Sequence, residues 1–215
     1  LYAANNSANL GHLEIDVFTW QAKAFKEWSI KDTDESYSKF FDKNIKLFNN
    51  LKFKDSFYKP MVEVINYLHA NSFNVYVVSG TDRLLIRNLL YNYLNTTVKL
   101  SKDHCLGSDI EFIATGELPF FQEDVLADDH YTYQQNDSIT KSGNGISKNL
   151  YMGKVRRIIR EIGIQPVLGF GNSKGDISML NYVTTGNKYK SHAFMVVADD
   201  IQREYGVDKI VDGVV

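Results

Sequence analysis

Asn74-Val75-Tyr76-Val77-Val78-Ser79-Gly80-Thr81-Asp82 is a β-rich run that breaks into a tight polar turn, and Leu84, Leu85, Leu89, Leu90 and Tyr93 follow it at helical spacing. Strand, turn and helix in that order are part of a βαβ unit, and the alternation continues on both sides. Upstream, Lys59-Pro60-Met61 opens a helix with proline in its first turn. Its apolar stripe is Met61, Val62, Ile65 and Leu68, and Asn71-Ser72 ends it. Downstream, Tyr151 to Ile162 reads as a helix burying Val155, Ile158, Ile159 and Ile162, and Gln165 to Phe170 as a strand. A helix carrying Ile177, Met179, Leu180 and Tyr182 comes next, then a buried strand at Ala193 to Ala198 and a minor strand at Lys209 to Val211. Between these parts, Asp109 to Ala114 and Tyr131 to Gln135 are short strands, with turn signals at Gly116, Asn136-Asp137 and Gly143-Asn144-Gly145. From residue 60 onward this order predicts an α/β domain, Rossmann-like, on a mostly parallel sheet with helices on both faces.

The first 57 residues have a different texture. Val17, Phe18, Trp20, Phe25 and Trp28 sit among charged residues in a helical pattern from Asp16 to Ile30, and Ser36 or Ser38 opens a second helix carrying Phe40, Phe41, Ile45, Leu47 and Phe48. The organisation expected is a helical region over 1–57, then an α/β core over 58–215 with a hairpin insert near 105–148.

Composition excludes several classes. With 215 residues and 44% apolar content, one solid core is affordable. Lys plus Arg is 24 against 26 for Asp plus Glu, a net charge of −2 with no basic run, which argues against sequence-independent nucleic-acid binding. A single cysteine, Cys105, excludes an internal disulfide framework. No stretch approaches the apolar length of a membrane span, and this leaves compartment and oligomeric state open.

Ligands of open parallel sheets bind beyond the carboxyl ends of the strands. Three such ends carry polar turns: Ser79 to Asp82, Gly171 to Asp176, and Asp199-Asp200. Ser79 supplies a hydroxyl, Gly80 lets backbone approach closely, and a following helix N-terminus favours an anion such as phosphate. Taken singly, Ser79 and Thr81 serve equally as helix caps. Asn172 and Asp176 are hard oxygen donors suited to Mg²⁺, or a capped turn without metal. Lys154, with Lys148 as its neighbouring alternative, can bring an ammonium to the same edge, while Arg156, Arg157 and Arg160 form a solvated face. Asp199-Asp200 borders the site or caps the helix after it. No G-x-G-x-x-G or G-x-x-x-x-G-K-[ST] pattern occurs, which weighs against a dinucleotide or P-loop nucleotide domain.

The combination resembles the haloacid dehalogenase-like (HAD) hydrolase superfamily, nearest its phosphoserine-phosphatase-like branch, over roughly residues 60 to 200. Val77-Val78-Ser79-Gly80 looks like the second motif, Lys154 in Met152-Gly153-Lys154-Val155 like the third, and Phe170 to Leu180 like the fourth. The resemblance implies a Mg²⁺-dependent phosphatase acting on a small phosphomonoester through an aspartyl-phosphate. Ser79, Gly80, Thr81 and Lys154 would bind the substrate, Asn172 and Asp176 the metal, with Ser79, Lys154 and Asp176 in catalytic roles. Residues 1–57 become a cap, whose Phe18, Trp20, Trp28, Tyr37, Phe40 and Phe41 fill its core or line a pocket for a cationic head group. Two features depart from the family. Asn172 stands where an aspartate is usual, and no Asp-x-Asp closes an apolar strand. Asp32-Thr33-Asp34 has the spacing but lies among charges, and Leu13 to Phe18 lacks a second aspartate. The resemblance therefore implies a first strand and its aspartates ahead of Leu1. The alternative is a non-catalytic module of the same fold that binds a phosphorylated ligand or a protein partner.

Overall fold

The computed structural model describes residues 10–46, 48, 50–117 and 131–197. The protein is α/β and folds as two compact units, residues 1–43 with 53–149, and residues 44–52 with 150–215. Lys209 to Val211 and Asp199-Asp200 lie outside the described residues.

In the first unit, α1 (Leu10–Ala24) and α2 (Ile30–Phe41) precede α3 (Lys59–Ala70), β1 (Val77–Asp82), α4 (Arg83–Tyr93), β2 (Cys105–Ala114) and β3 (Ile139–Ser147). The second helix starts earlier than Ser36 or Ser38. Ser29 is its N-cap and forms a capping box with Asp32, which satisfies two helix-end donors reciprocally. It ends at Phe41, so Ile45 and Phe48 lie outside it, and Leu47 is not among the described residues. Asp32-Thr33-Asp34 is thus helical: Asp32 belongs to the cap, and Asp34 accepts from Asn88 Nδ2 at 3.3 Å.

The sheet order is β1-β2-β3, with β1 and β2 parallel and β2 and β3 antiparallel. The hairpin expected near 105–148 is therefore present, but its second strand is not Tyr131 to Gln135, which is irregular and ends in a turn. That strand is β3, and it runs through Gly143-Asn144-Gly145. From Gly145 to Lys141 it advances four residues while β2 advances two, from Ile110 to Phe112. The glycines belong to a bulge. Gly143 has φ +93°, open to glycine at little cost, and a Cβ on Gly145 would sit 2.5 Å from the Phe18 ring. Phe18 and Ala22 of α1 pack there with Ile110. A second cluster joins Ile86, Leu90, Leu94, Leu100 and Cys105, with Val62 and Ile65 of α3, Val75 ahead of β1 and Val77 of β1 against it. Burial pushes the Cys105 thiol up to about 11, so it acts as a core hydrophobe.

In the second unit, α5 (Met152–Arg157) continues as a π-helical turn over Ile158–Ile162, closed by Gly163 at φ +72°. Val155 and Ile158 are buried as expected, whereas Ile159 is exposed. The wider turn breaks the 3.6-residue period on which its burial was expected. Strand β4 (Leu168–Gly171) pairs in parallel with β5 (His192–Met195), and α6 (Ile177–Thr184) packs on them. Met179, Leu180 and Val183 of α6 are buried, and Ile177 is exposed. The last strand was expected to be buried, yet all four residues of β5 are exposed. A two-stranded ladder offers less cover than a sheet interior, and Phe194 instead stacks on Phe170 at 5.0 Å.

Candidate functional site: two strand ends and two buried lysines

In the first unit, the stretch expected to leave the strand as a turn stays in β1 as a bulge. From Val78 to Asp82 the chain advances four residues while β2 advances two, from Leu106 to Ser108. Asp82 is the N-cap of α4, accepting from Leu85 N at 3.0 Å. Ser79 and Thr81 are therefore not the caps of that helix. Ser79 Oγ accepts from Thr81 N at 3.1 Å, and no acceptor takes the Ser79 hydroxyl proton among the described residues. Behind the bulge, Ser108 Oγ donates to Gly80 O at 2.7 Å, and Asn149 Nδ2 donates to Ser79 O at 2.8 Å. Arg83 makes a two-pronged pair with Asp109, at 2.6 and 3.0 Å.

Strand β2 passes close beneath this turn because residue 107 is glycine. A Cβ there would lie 2.5 Å from Arg83 Cα, 2.7 Å from Arg83 N and 2.8 Å from Thr81 O, all backbone atoms. Gly107→Ala is expected to displace the turn and cost about 1–3 kcal/mol, the usual range for overpacking. Thermal unfolding checks this, and an unchanged melting temperature would show that the turn yields freely.

The same unit holds a polar cluster that sequence reading missed. Lys141 on β3 is fully buried, with Nζ 3.4 Å from Asp82 Oδ2 and 3.3 Å from the Tyr37 hydroxyl. Its ammonium lies 4.9 Å from the centre of the Phe25 ring and 5.5 Å from that of Tyr37. Tyr37 in turn donates to Asp82 Oδ1 at 3.2 Å. Burial pushes the Lys141 ammonium below its ordinary value, against the pull of the Asp82 carboxylate. Burial and the Asp82 charge both push the Tyr37 hydroxyl up. An aspartate before a helix is readable as an N-cap. Nothing local marks Lys141 in Ile139-Thr140-Lys141-Ser142 as buried.

The cap aromatics divide. Phe18, Tyr37 and Phe41 are buried core, while Trp20 and Phe40 are exposed. Two depressions on this unit, of about 260 and 570 Å³, are lined by none of the six aromatics.

In the second unit, Lys154 and Asp176 meet at 2.5 Å, both buried. Asp176 Oδ2 accepts from Asn172 N, Ser173 N and Ser173 Oγ, each at 3.0 Å. It packs on Gly171, where a Cβ would lie 2.5 Å from its own. Burial pushes the Asp176 carboxyl up. The Lys154 hydrogen bond and charge, with the Asn172 amide and Ser173 hydroxyl, pull it further down, so it lies below its ordinary value. The carboxylate thus spends both oxygens on protein donors, tying loop to lysine. Asn172 is exposed and offers one neutral carboxamide oxygen. Among the described residues, no three His, Cys, Asp or Glu side chains gather to hold a metal ion. Mg²⁺ bonded to Asp176 does not fit this arrangement, since the oxygens it needs already accept four hydrogen bonds. Of the lysines weighed from the sequence, Lys154 is the one beside Asp176, while Lys148 lies over the Phe18 ring at 5.1 Å.

The arrangement offers a hydroxyl at a strand bulge in one unit and a carboxylate-held ammonium beside a strand end in the other. Both suit a tetrahedral oxyanion. Among protein-family models and curated proteins, nothing matches the chain.

Proposed function

We propose that this chain binds the phosphoryl group of a small phosphomonoester, as the phosphate-holding part of a HAD-type phosphatase of the phosphoserine-phosphatase-like branch. The single observation that carries the reading is at the end of β1. Asp82 takes the cap of α4 and leaves Ser79, Gly80 and Thr81 as a bulge that the helix does not need. Ser79 would donate to a phosphoryl oxygen, with the backbone around Gly80 close beside it. The family pattern also gives Lys154 a phosphate-binding role, and its pairing with Asp176 supports this by holding the ammonium in one place. In this reading residues 58–215 form the Rossmann-like core and residues 1–57 the cap.

Turnover needs more. An aspartate carboxylate must attack phosphorus, the ester bond must break with a proton going to the leaving oxygen, and water must then cleave the acyl phosphate. The one Asp-x-Asp of the sequence lies inside α2, so it is not the strand-end nucleophile that the family pattern uses. The chain alone is therefore expected to bind phosphate and not to hydrolyse esters.

Calorimetric titration with inorganic phosphate tests the reading. Saturable binding is expected, and Ser79→Ala should weaken it about tenfold or more, the worth of one hydrogen bond to a charged group. Absence of saturable binding, or binding indifferent to Ser79→Ala, would overturn the proposal. Hydrolysis of p-nitrophenyl phosphate by the chain alone would overturn the division of labour.

A further inference from the structure

The ladder between β1 and β2 breaks where the proposed phosphate-binding turn stands, yet the turn is held from behind. Ser108 is fully buried and Asn149 is 1% exposed. Asn149 Nδ2 donates to Ser79 O at 2.8 Å and to Leu106 O at 3.3 Å, and its backbone N–H donates to Ser108 Oγ at 2.9 Å. Ser108 Oγ passes its own proton to Gly80 O at 2.7 Å. Two consecutive carbonyls of the bulge are thus fixed by side chains 70 and 28 residues away in sequence.

Peptide units are planar and no described peptide bond is cis, so each fixed carbonyl also fixes the N–H on the opposite side of its plane. Asn149, holding Ser79 O, aims the Gly80 N–H away from itself. Ser108, holding Gly80 O, aims the Thr81 N–H, which reaches Ser79 Oγ at 3.1 Å and so orients the hydroxyl oxygen as well. The orientation of the Asn149 amide is unambiguous, because an oxygen in place of Nδ2 would face two carbonyl oxygens. Its Oδ1 is buried with no partner. A buried acceptor left unpaired is costly, so this side chain is kept for what its Nδ2 does.

We propose that Ser108 and Asn149 are positioning residues for phosphate binding, setting the direction of the Gly80 and Thr81 amides and of the Ser79 hydroxyl. This rests on the phosphate-binding reading of the β1 end.

The test pairs two readouts on the whole chain: the amide resonances of Gly80 and Thr81 without ligand, and the affinity for inorganic phosphate. Asn149→Ala should move the Gly80 amide and Ser108→Ala the Thr81 amide, and each should weaken phosphate about tenfold or more. Thr33→Ala removes another fully buried hydroxyl of the same unit, bonded to Ser29 O, and serves as control. It should lower the melting temperature and leave both readouts alone. If Asn149→Ala does not fold, Ser108→Ala decides. Unmoved amides, or unchanged phosphate affinity with moved amides, would overturn the positioning role. If the unsubstituted chain binds no phosphate, the functional reading fails, and the amide resonances alone decide whether the two residues set the turn.

Discussion

Lys141→Met should lower the stability of the first unit by about 3–5 kcal/mol, the range for removing one partner of a buried ion pair. Methionine fills nearly the same space, so the loss is electrostatic. Asp82 would keep its buried carboxylate with the Tyr37 hydroxyl and Leu85 amide as remaining donors. Burying a charge so partly compensated is what costs. The cluster also joins four elements: Tyr37 comes from α2, Asp82 ends β1 and caps α4, and Lys141 lies on β3. In a melt followed by circular dichroism, the deficit should show as a fall of roughly 10–20 °C. Adding Asp82→Asn should restore part of it, because asparagine can still cap α4 and carries no charge to bury. Melting within a degree of the parent for Lys141→Met alone would mean the pair contributes nothing.

That cluster marks the limit of what the chain displays in one dimension. The strand from Val77 was legible because its apolar run and the helical spacing after it are local. The turn between β4 and α6 was legible for the same reason, as a glycine-flanked polar stretch between strand and helix. At the end of β1 the outcome was finer than the pattern: the polar turn is a bulge within that strand, and Asp82, not Ser79 or Thr81, is the cap. Gly143-Asn144-Gly145 misled because glycine marks both turns and bulges, and only the Phe18 ring, more than a hundred residues upstream, distinguishes them. Lys141, Ser108 and Asn149 gave no signal. Each is polar and sits in a polar neighbourhood of sequence, and each is buried by partners distant in the chain. Ile159 failed for a different reason, since a π-turn displaces every later residue on a helix face.

Asp176→Ala should be more damaging to the second unit than Lys154→Ala, although both break the same 2.5 Å pair. When lysine is removed, the carboxylate keeps three donors, Asn172 N, Ser173 N and Ser173 Oγ, and the loop after β4 stays tied. The loss is then that of one charged hydrogen bond, about 1.5–3 kcal/mol. When aspartate is removed, the lysine loses that carboxylate in a buried place and the loop loses its anchor, for about 3–5 kcal/mol. The difference also carries a pH signature. The Asp176 carboxyl lies below its ordinary value of 3.8 in the folded protein, so unfolding in acid takes up a proton. Its contribution is therefore full above 3.8 and is lost as pH falls through the lowered folded value. The stability gap between the parent and Asp176→Ala should be constant near neutrality and close in acid. Phosphate affinity separates this from the proposed function: if Lys154 binds phosphate as proposed, both variants should bind inorganic phosphate about tenfold or more weakly at neutral pH, because one lacks the ammonium and the other the group that holds it. Equal stability losses in the two variants would show that the loop contacts of Asp176 carry no weight. A gap that persists unchanged into strong acid would show that its charge does not.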